Sequence, residues 1–298
     1  MRLAALDVGS NTVHVLVADA VRGKLVDVAH YVEMPELGAQ VARTGAIGAR
    51  KEPALRAIRK VLAEAKQHGY ERLITCATEA VRAASDRAEF VTAAEAVVGA
   101  PMPVISGSRE AALSFLGAAS RHASRKEWAL VDLGGGSTEV VIGRDREMLR
   151  SAKLGIGSGV LAAQLSDPPT PQERARLRRA ALRAMAGAPD GEVERLVTTG
   201  GTASNLPAVL ARRNPPAVLT TADLLACEAR LDRHRAARIA EEVHLPAPRV
   251  KALRAGVEVL LLFLDWYGLA ILHVSHEGLR HGMLLSYLER GEDWWTDG

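Results

Sequence analysis

Apolar and polar positions alternate with a period of two along residues 5–17, ALDVGSNTVHVLV, on both sides of a short polar turn. That pattern predicts a strand, a turn of Gly9, Ser10, Asn11 and Thr12, and a second strand. Residues 131–141, VDLGGGSTEVV, repeat the design with three consecutive glycines in the turn. Around these two units the pattern predicts a third strand at 24–32 and a helix at 52–68. In that helix Leu55, Ile58, Val61, Leu62 and Ala65 share one face, and Gly69 stops it. A buried strand at 73–77, a helix at 86–98, a strand at 103–105 and an apolar helix through Ala111, Leu113 and Phe115 follow. The second half opens on a meander of 128–131, 138–142 and 147–153. A strand at 195–198 and helices at 203–212, 221–231, 234–243 and 249–266 come next, and a strand at 270–274 precedes a closing helix. The segment 35–51 is rich in glycine and lacks periodicity, so it reads as a mobile loop near the cleft or as a plain surface connection.

Asp7 and Asp132 occupy the same place in the two strand-turn-strand units, one near the start of each half. This duplication predicts an α/β fold of two similar lobes facing each other across a cleft. The boundaries expected are 1–115 for the first lobe, with the closing helix 284–298 packing back on it, and 116–283 for the second.

The turns carry the candidate chemistry. Glycine lets backbone N–H groups approach a ligand, so Gly134, Gly135, Gly136 and Ser137 can form a concavity of amide donors for an anion. The flanking Asp132 and Glu139 are hard oxygen donors of the kind Mg²⁺ prefers when it also meets phosphate. A glycine hairpin with solvated acids is the competing reading. Two further glycine-rich turns lead into helices: 154–159, LGIGSG, and 199–205, TGGTASN, with Gly200, Gly201 and Thr202 at its bend. Arg82 lies one turn into a short helix that Thr78 can cap; it can reach an anion or pair with Glu79 or Asp86. Glu110, in the first turn of its helix, is either an ordinary favourable N-terminal charge or a carboxylate placed to take a proton from water. Arg174, Arg176, Arg178, Arg179 and Arg183 stud one helix and present either a solvated face or an attraction for a long polyanion.

Composition narrows the choice. With 298 residues, 48% of them apolar, the chain can bury one large or two medium cores. A net charge of +3 does not demand a nucleic-acid surface, and 4% aromatic residues disfavour base-stacking platforms, so no specific nucleic acid is expected. Cys76 and Cys227 are too few and too isolated for a disulfide framework or a zinc site, and Cys76 reads as core. His273, His276 and His281 lack the spacing of metal ligands and read as structural or surface residues. Asp7 interrupts the first apolar run, which is therefore not a secretory signal. No later run of eighteen residues lacks a charge, so the expectation is a cytoplasmic protein without a membrane span.

Six motifs then stand in one order: LDVGSNTVHVLVAD, ATEAVR at 77–82, ISG ahead of Glu110 and Ala111, VDLGGGSTEVV, KLGIGSG and TTGGTASN. In that order they resemble the exopolyphosphatase and guanosine pentaphosphate phosphohydrolase family, nearly end to end. The resemblance implies two ribonuclease-H-like lobes of the actin-like superfamily with the active site between them, and Mg²⁺ or another divalent cation such as Mn²⁺. It implies Glu110 as general base, Asp132 and Glu139 as metal- or water-positioning acids, and Gly134, Gly135, Gly136 and Ser137 as a phosphate cradle. Asp7, Gly9, Ser10 and Asn11 would form the facing loop, with Arg82, Gly200, Gly201 and Thr202 as further phosphate contacts. The activity implied is release of orthophosphate from the end of inorganic polyphosphate. Hydrolysis of the 5′-terminal phosphate of guanosine pentaphosphate is the nearest alternative, with (p)ppGpp as partner; a polyphosphate or alarmone sensor without turnover is an alternative of another class. A homodimer is implied, and the absence of the longer members' helical domains implies a preference for short chains. The sequence departs from the family pattern at three places. Arg109 stands where many relatives carry an acid, Leu279-Arg280-His281-Gly282 where they carry Leu-Arg-Glu-Gly, and Arg249-Val250-Lys251 where they carry Arg-Ala-Asp.

Overall fold

The structure, a computed structural model, describes residues 1–210 and 217–297. The chain forms two compact units, residues 1–120 with 279–298, and residues 121–278.

The first unit begins with β1 (Arg2–Val8), β2 (Val13–Val21) and β3 (Lys24–Glu33). Helices α1 (Leu37–Thr44) and α2 (Lys51–Lys66) lead to β4 (Arg72–Ala77), and α3 (Glu79–Ala83), α4 (Arg87–Val98) and α5 (Gly107–His122) follow. The sheet runs β3-β2-β1-β4; the first three strands are antiparallel neighbours, and β4 lies parallel to β1. Because successive side chains of a strand point to opposite faces, β1 sorts its residues in two. Ala4, Leu6 and Val8 join Leu37 of α1, Ile58 and Val61 of α2 and Phe90 of α4 in one core. Leu3 and Ala5, with Ile74 and Cys76, pack instead with Leu113 of α5 and with Met283, Leu284 and Trp294 from the end of the chain. Asp7 has the parity of the second face.

The second unit repeats the opening. Strands β5 (Trp128–Leu133), β6 (Thr138–Arg144) and β7 (Glu147–Leu154) form the meander. Helices α6 (Ser158–Ala162) and α7 (Pro171–Met185) come next, then β8 (Leu196–Thr199), α8 (Gly200–Val209) and β9 (Val218–Thr220). Helices α9 (Thr221–Arg233), α10 (Ala236–Val243) and α11 (Ala247–Trp266) and strand β10 (Ile271–Val274) complete it, and α12 (Leu279–Arg290) belongs to the first unit. The sheet order β7-β6-β5-β8-β10-β9 contains the first unit's arrangement, a meander with a parallel strand beside its first member. A Thr170–Glu173 capping box starts α7, the reciprocal satisfaction of orphan donors that fixes a helix N-terminus. Helix α11 is the core element of this unit, buried on most of its circumference from Val250 to Leu264. Its two buried charges are paired rather than stranded: Arg254 meets Asp167 at 2.8 Å and Glu258 meets Arg178 at 2.7 Å.

Four expectations change. Segment 35–51 is not a loop but holds α1 and a 3-10 turn at Gly48–Arg50, because Leu37, Val41 and Ile47 are buried in the first core. Residues 103–105 form only an isolated bridge from Val104 to Ala77, as expected where Pro103 removes a ladder donor. Thr78 begins α3 without a side-chain cap. The helix expected at 203–212 ends at Val209, and its last two positions lie outside the described residues. Among the described residues, no helix is long and apolar enough to cross a membrane.

Candidate active site

In the first unit the β1–β2 turn is tied down by its carbonyls. The Gly9 N–H donates to Thr12 O at 2.9 Å, while Ser10 O and Asn11 O accept from the N–H groups of Gly38 and Glu36 at 2.7 and 3.2 Å. Among the described residues the amides of Ser10 and Asn11 have no acceptor, so the turn faces outward with donors. Both contacts come from the start of α1, the element the sequence concealed. At the end of β1, the buried Asp7 accepts from Arg280 Nη1 of α12 at 3.2 Å.

Glu110 sits in the first turn of α5, where its N–H donates to Ser106 O at 2.9 Å. Its carboxylate accepts from Arg82 Nη1 and Nη2, each at 3.2 Å. Arg82 also donates to Ile105 O at 2.6 Å and pairs closely with Glu79. The fork of Arg82 is thus shared by two carboxylates and a carbonyl, which fixes the direction of Glu110. Asp86, the other partner considered for Arg82, instead accepts from the N–H groups of Ile47 and Gly48 at 2.8 and 2.9 Å.

In the second unit three glycine-rich turns converge at the end of β5. Gly134 O accepts from Ser158 N–H at 2.9 Å, and Gly135 O accepts from the N–H groups of Gly159 and Val160 at 3.0 and 3.1 Å. The 155–159 turn therefore buttresses the 134–137 turn from behind. With the carbonyls of Gly134 and Gly135 spent inward, the amides of Gly135, Gly136 and Ser137 have no acceptor among the described residues. Asp132 and Glu139 are direct register partners across β5 and β6, so their carboxylates leave the sheet on the same face. Glu139 Oε1 accepts from Ser137 Oγ at 2.8 Å. Two hard carboxylates beside a cradle of unspent amides suit Mg²⁺ or Mn²⁺ bound together with phosphate. Parallel to Asp132 in β8 stands Thr199, which begins α8; the amides of Gly200, Gly201 and Thr202 are the orphan donors of its first turn.

The sequence missed two residues of this constellation. Arg249, in the first turn of α11, lies against the 199–202 turn so closely that a Cβ on Gly201 would stand 2.5 Å from its Nη1. No carboxylate pairs with Arg249 among the described residues, and burial pushes its guanidinium below the usual arginine range. Thr199 is the other: its buried hydroxyl, like that of Thr202, has no hydrogen-bond partner among the described residues. Arg249 stands about fifty positions from the turn it touches, beyond the reach of any spacing argument, and its match to the family's arginine was the only signal.

The remaining expectations fall elsewhere. Arg174 pairs with Asp232 and Arg178 with Glu258 within the second unit, whereas Arg176, Arg179 and Arg183 are exposed. His281 is buried and meets Asp27 at 2.9 Å, and Asp27 also holds His30 at 2.8 Å.

The model of the Ppx/GppA phosphatase family matches residues 16–291. The chain is 38% identical over 194 residues to exopolyphosphatase 2 of Mycobacterium tuberculosis, a match covering 60% of each chain. It thus spans only about 60% of the length of that curated relative. A crystal structure of an Aquifex aeolicus Ppx/GppA family member matches 98% of this chain and 99% of its own at 27% identity, with a TM-score of 0.84. An exopolyphosphatase structure from Cytophaga hutchinsonii shares the fold over 97% of this chain and 98% of its own, with a TM-score of 0.88 at 21% identity.

Proposed function

The chain belongs to the Ppx/GppA phosphatase family, and from that premise we propose that it is a phosphoanhydride hydrolase releasing orthophosphate from the end of inorganic polyphosphate. The observation that carries this reading is the pair of turns, 9–12 and 134–137, which hold themselves by internal and backing hydrogen bonds and leave the amides of Ser10, Asn11, Gly135, Gly136 and Ser137 to a ligand. Phosphoryl transfer passes through a transition state with charge spread over the peripheral oxygens, so preorganised donors with little reorganisation are what it requires. The amides of Gly135, Gly136 and Ser137 bind those oxygens. Gly200, Gly201 and Thr202, with Arg249, hold phosphate, as do Ser10 and Asn11. Glu110, oriented by Arg82, accepts the proton of the attacking water. Asp132 and Glu139 are the residues that would hold a divalent cation, Mg²⁺ or Mn²⁺, which when bound neutralises phosphate charge.

Guanosine pentaphosphate would undergo the same chemistry with a nucleotide leaving group, but 4% aromatic residues supply few surfaces for a guanine base. The test is orthophosphate release from short polyphosphate, long polyphosphate and guanosine pentaphosphate with Mg²⁺, for the wild type beside Glu110→Gln. Turnover of polyphosphate that drops by about 10² or more in the variant, the usual contribution of a positioned base, is the expected result. Tight polyphosphate binding without release by the wild type would overturn the reading in favour of a sensor.

A further inference from the structure

Arg109, the residue that breaks the family pattern immediately before Glu110, does not turn toward its neighbour. Its Nη2 donates to Ser286 Oγ of α12 at 2.6 Å and to the carbonyl of Trp294, which lies in the 3-10 turn Gly291–Trp295. Ser286 Oγ donates to the same Trp294 carbonyl at 3.0 Å. Trp294 is itself 4% exposed, its ring packed in the core that α5 and α12 share with the sheet. Three residues earlier, just ahead of α5, the closing segment makes a second contact. Ser106 Oγ accepts the N–H of Arg109 at 3.0 Å, as an N-cap does, and is held on its other side by the Asp297 carboxylate at 2.9 and 3.0 Å. Ser108 Oγ approaches Asp297 at 3.4 Å and Ser106 Oγ at 2.8 Å. One turn further along α5, Gly282 lets α12 cross with its backbone against Leu113 O, where a Cβ would stand 1.8 Å from that oxygen.

These contacts all fall on the first two turns of one helix, and Glu110 is the residue between them. A side chain in the first turn of a helix takes its direction from the cap, because frayed N-terminal amides leave the turn free to unwind. Here the cap serine is itself anchored by a carboxylate 191 residues away in sequence. We propose that Arg109 and the closing segment 291–297 clamp the first turn of α5 and so hold Glu110 in line with Arg82, making Arg109, Ser106 and Asp297 positioning residues for the base. The inference rests on Glu110 acting as that base. It also assigns Arg109 a role opposite to the one its charge suggests: the guanidinium is spent on the chain and does not attract the polyanion. Burial, together with the nearby Arg290, pushes it below the usual arginine range, as for a cation turned inward.

The test uses the full chain with Mg²⁺ and inorganic polyphosphate, comparing the wild type with Asp297→Ala, Asp297→Asn, Arg109→Leu and Glu110→Gln. A clamp predicts that Asp297→Ala and Arg109→Leu lower kcat tenfold or more with KM within about twofold, and that Asp297→Asn, which keeps an acceptor for Ser106, retains wild-type kcat. Hydrogen exchange supplies a readout independent of turnover: amides of residues 107–112 exchange at least tenfold faster in Asp297→Ala and at the wild-type rate in Asp297→Asn. A rise in KM with unchanged kcat in Arg109→Leu would make Arg109 a substrate contact and overturn the clamp. Wild-type kcat and exchange in Asp297→Ala would overturn it as well, while a dead Glu110→Gln in the same series would leave the base in place. Activity retained by Glu110→Gln would remove the base, and the purpose of the clamp with it.

Discussion

Gly157 lies against Gly135 so closely that a Cβ on Gly157 would stand 2.4 Å from the Gly135 carbonyl oxygen and 2.5 Å from the Gly136 carbonyl carbon. Both neighbours are backbone of the amide cradle, and neither can swing aside as a side chain would. A single methyl at position 157 must therefore move the cradle. Gly157→Ala is expected to lower kcat for phosphate release at least tenfold while costing only about 1 to 3 kcal/mol of stability, the usual range for overpacking. Thermal unfolding and steady-state turnover measured on the same preparation separate the two effects; unchanged turnover would mean that the 134–137 turn does not meet phosphate.

Glu228 in α9 is the group that ties stability to pH near neutrality. Burial, and then its hydrogen bond to Glu258, push its carboxyl up to about 7, with Arg174 3.6 Å away and unable to offset both. In the folded state the carboxyl keeps a proton that the unfolded chain releases above about 4.5, so its contribution is complete below that pH and is lost as pH rises through about 7. Glu228→Gln mimics the protonated form at every pH. The wild type is expected to lose about 1 to 3 kcal/mol relative to this variant between pH 5 and pH 8.5. Melting temperatures of both proteins across that range check it, and parallel curves would place the ionised carboxylate comfortably in the fold.

How much of this was legible in the sequence follows from the range of each signal. The glycine-rich turns are local: a strand, an acid and adjacent glycines lie within a dozen residues, and Asp7, Gly134 and Gly200 stand where strand ends were expected. Helix α1 was concealed because Leu37 and Val41 are its only buried residues, with Gly38 between them and Gly45 at its end, which leaves too little periodicity to detect. The helix expected at 249–266 is buried on most sides and belongs to the core. The partners of the site residues were beyond reach for a different reason. Arg280 meets Asp7 across 273 positions and Asp297 meets Ser106 across 191, and a single sequence carries no trace of such pairs.

His14, opposite Asp7 in the sheet register, makes the opposite demand on pH. Burial, then the charge of Arg280, push its imidazole down to about 2, and His30 and His281 face it as well. The folded state keeps the ring neutral while the unfolded chain takes up a proton as pH falls through about 6.5. Stability is complete above that pH and falls on acidification. His14→Gln is expected to spare about 1 to 2 kcal/mol of the loss the wild type suffers between pH 7 and pH 5. Equal acid losses in the two proteins, measured by denaturant titration, would show that the ring is protonated without cost.

Arg249 offers the sharpest separation between function and stability. A partly buried guanidinium without a carboxylate costs free energy to desolvate, and the fold tolerates one only where something else gains from it. Against the 199–202 turn, whose first amides are orphan donors, the phosphate of the proposed function would supply that gain through charge-assisted hydrogen bonds to the guanidinium. Arg249→Met keeps most of the side-chain volume and removes the charge. It is expected to leave the melting temperature unchanged or to raise stability by about 1 kcal/mol. At the same time it should lower kcat/KM for polyphosphate by about 10- to 100-fold, as the loss of one hydrogen bond to a charged group worth about 1.5 to 3 kcal/mol requires. It should also flatten the dependence of KM on salt, because one fewer positive charge meets the polyanion. A residue retained for packing behaves in the reverse way: the variant would melt several degrees lower with kcat/KM intact, and Arg249 would leave the site.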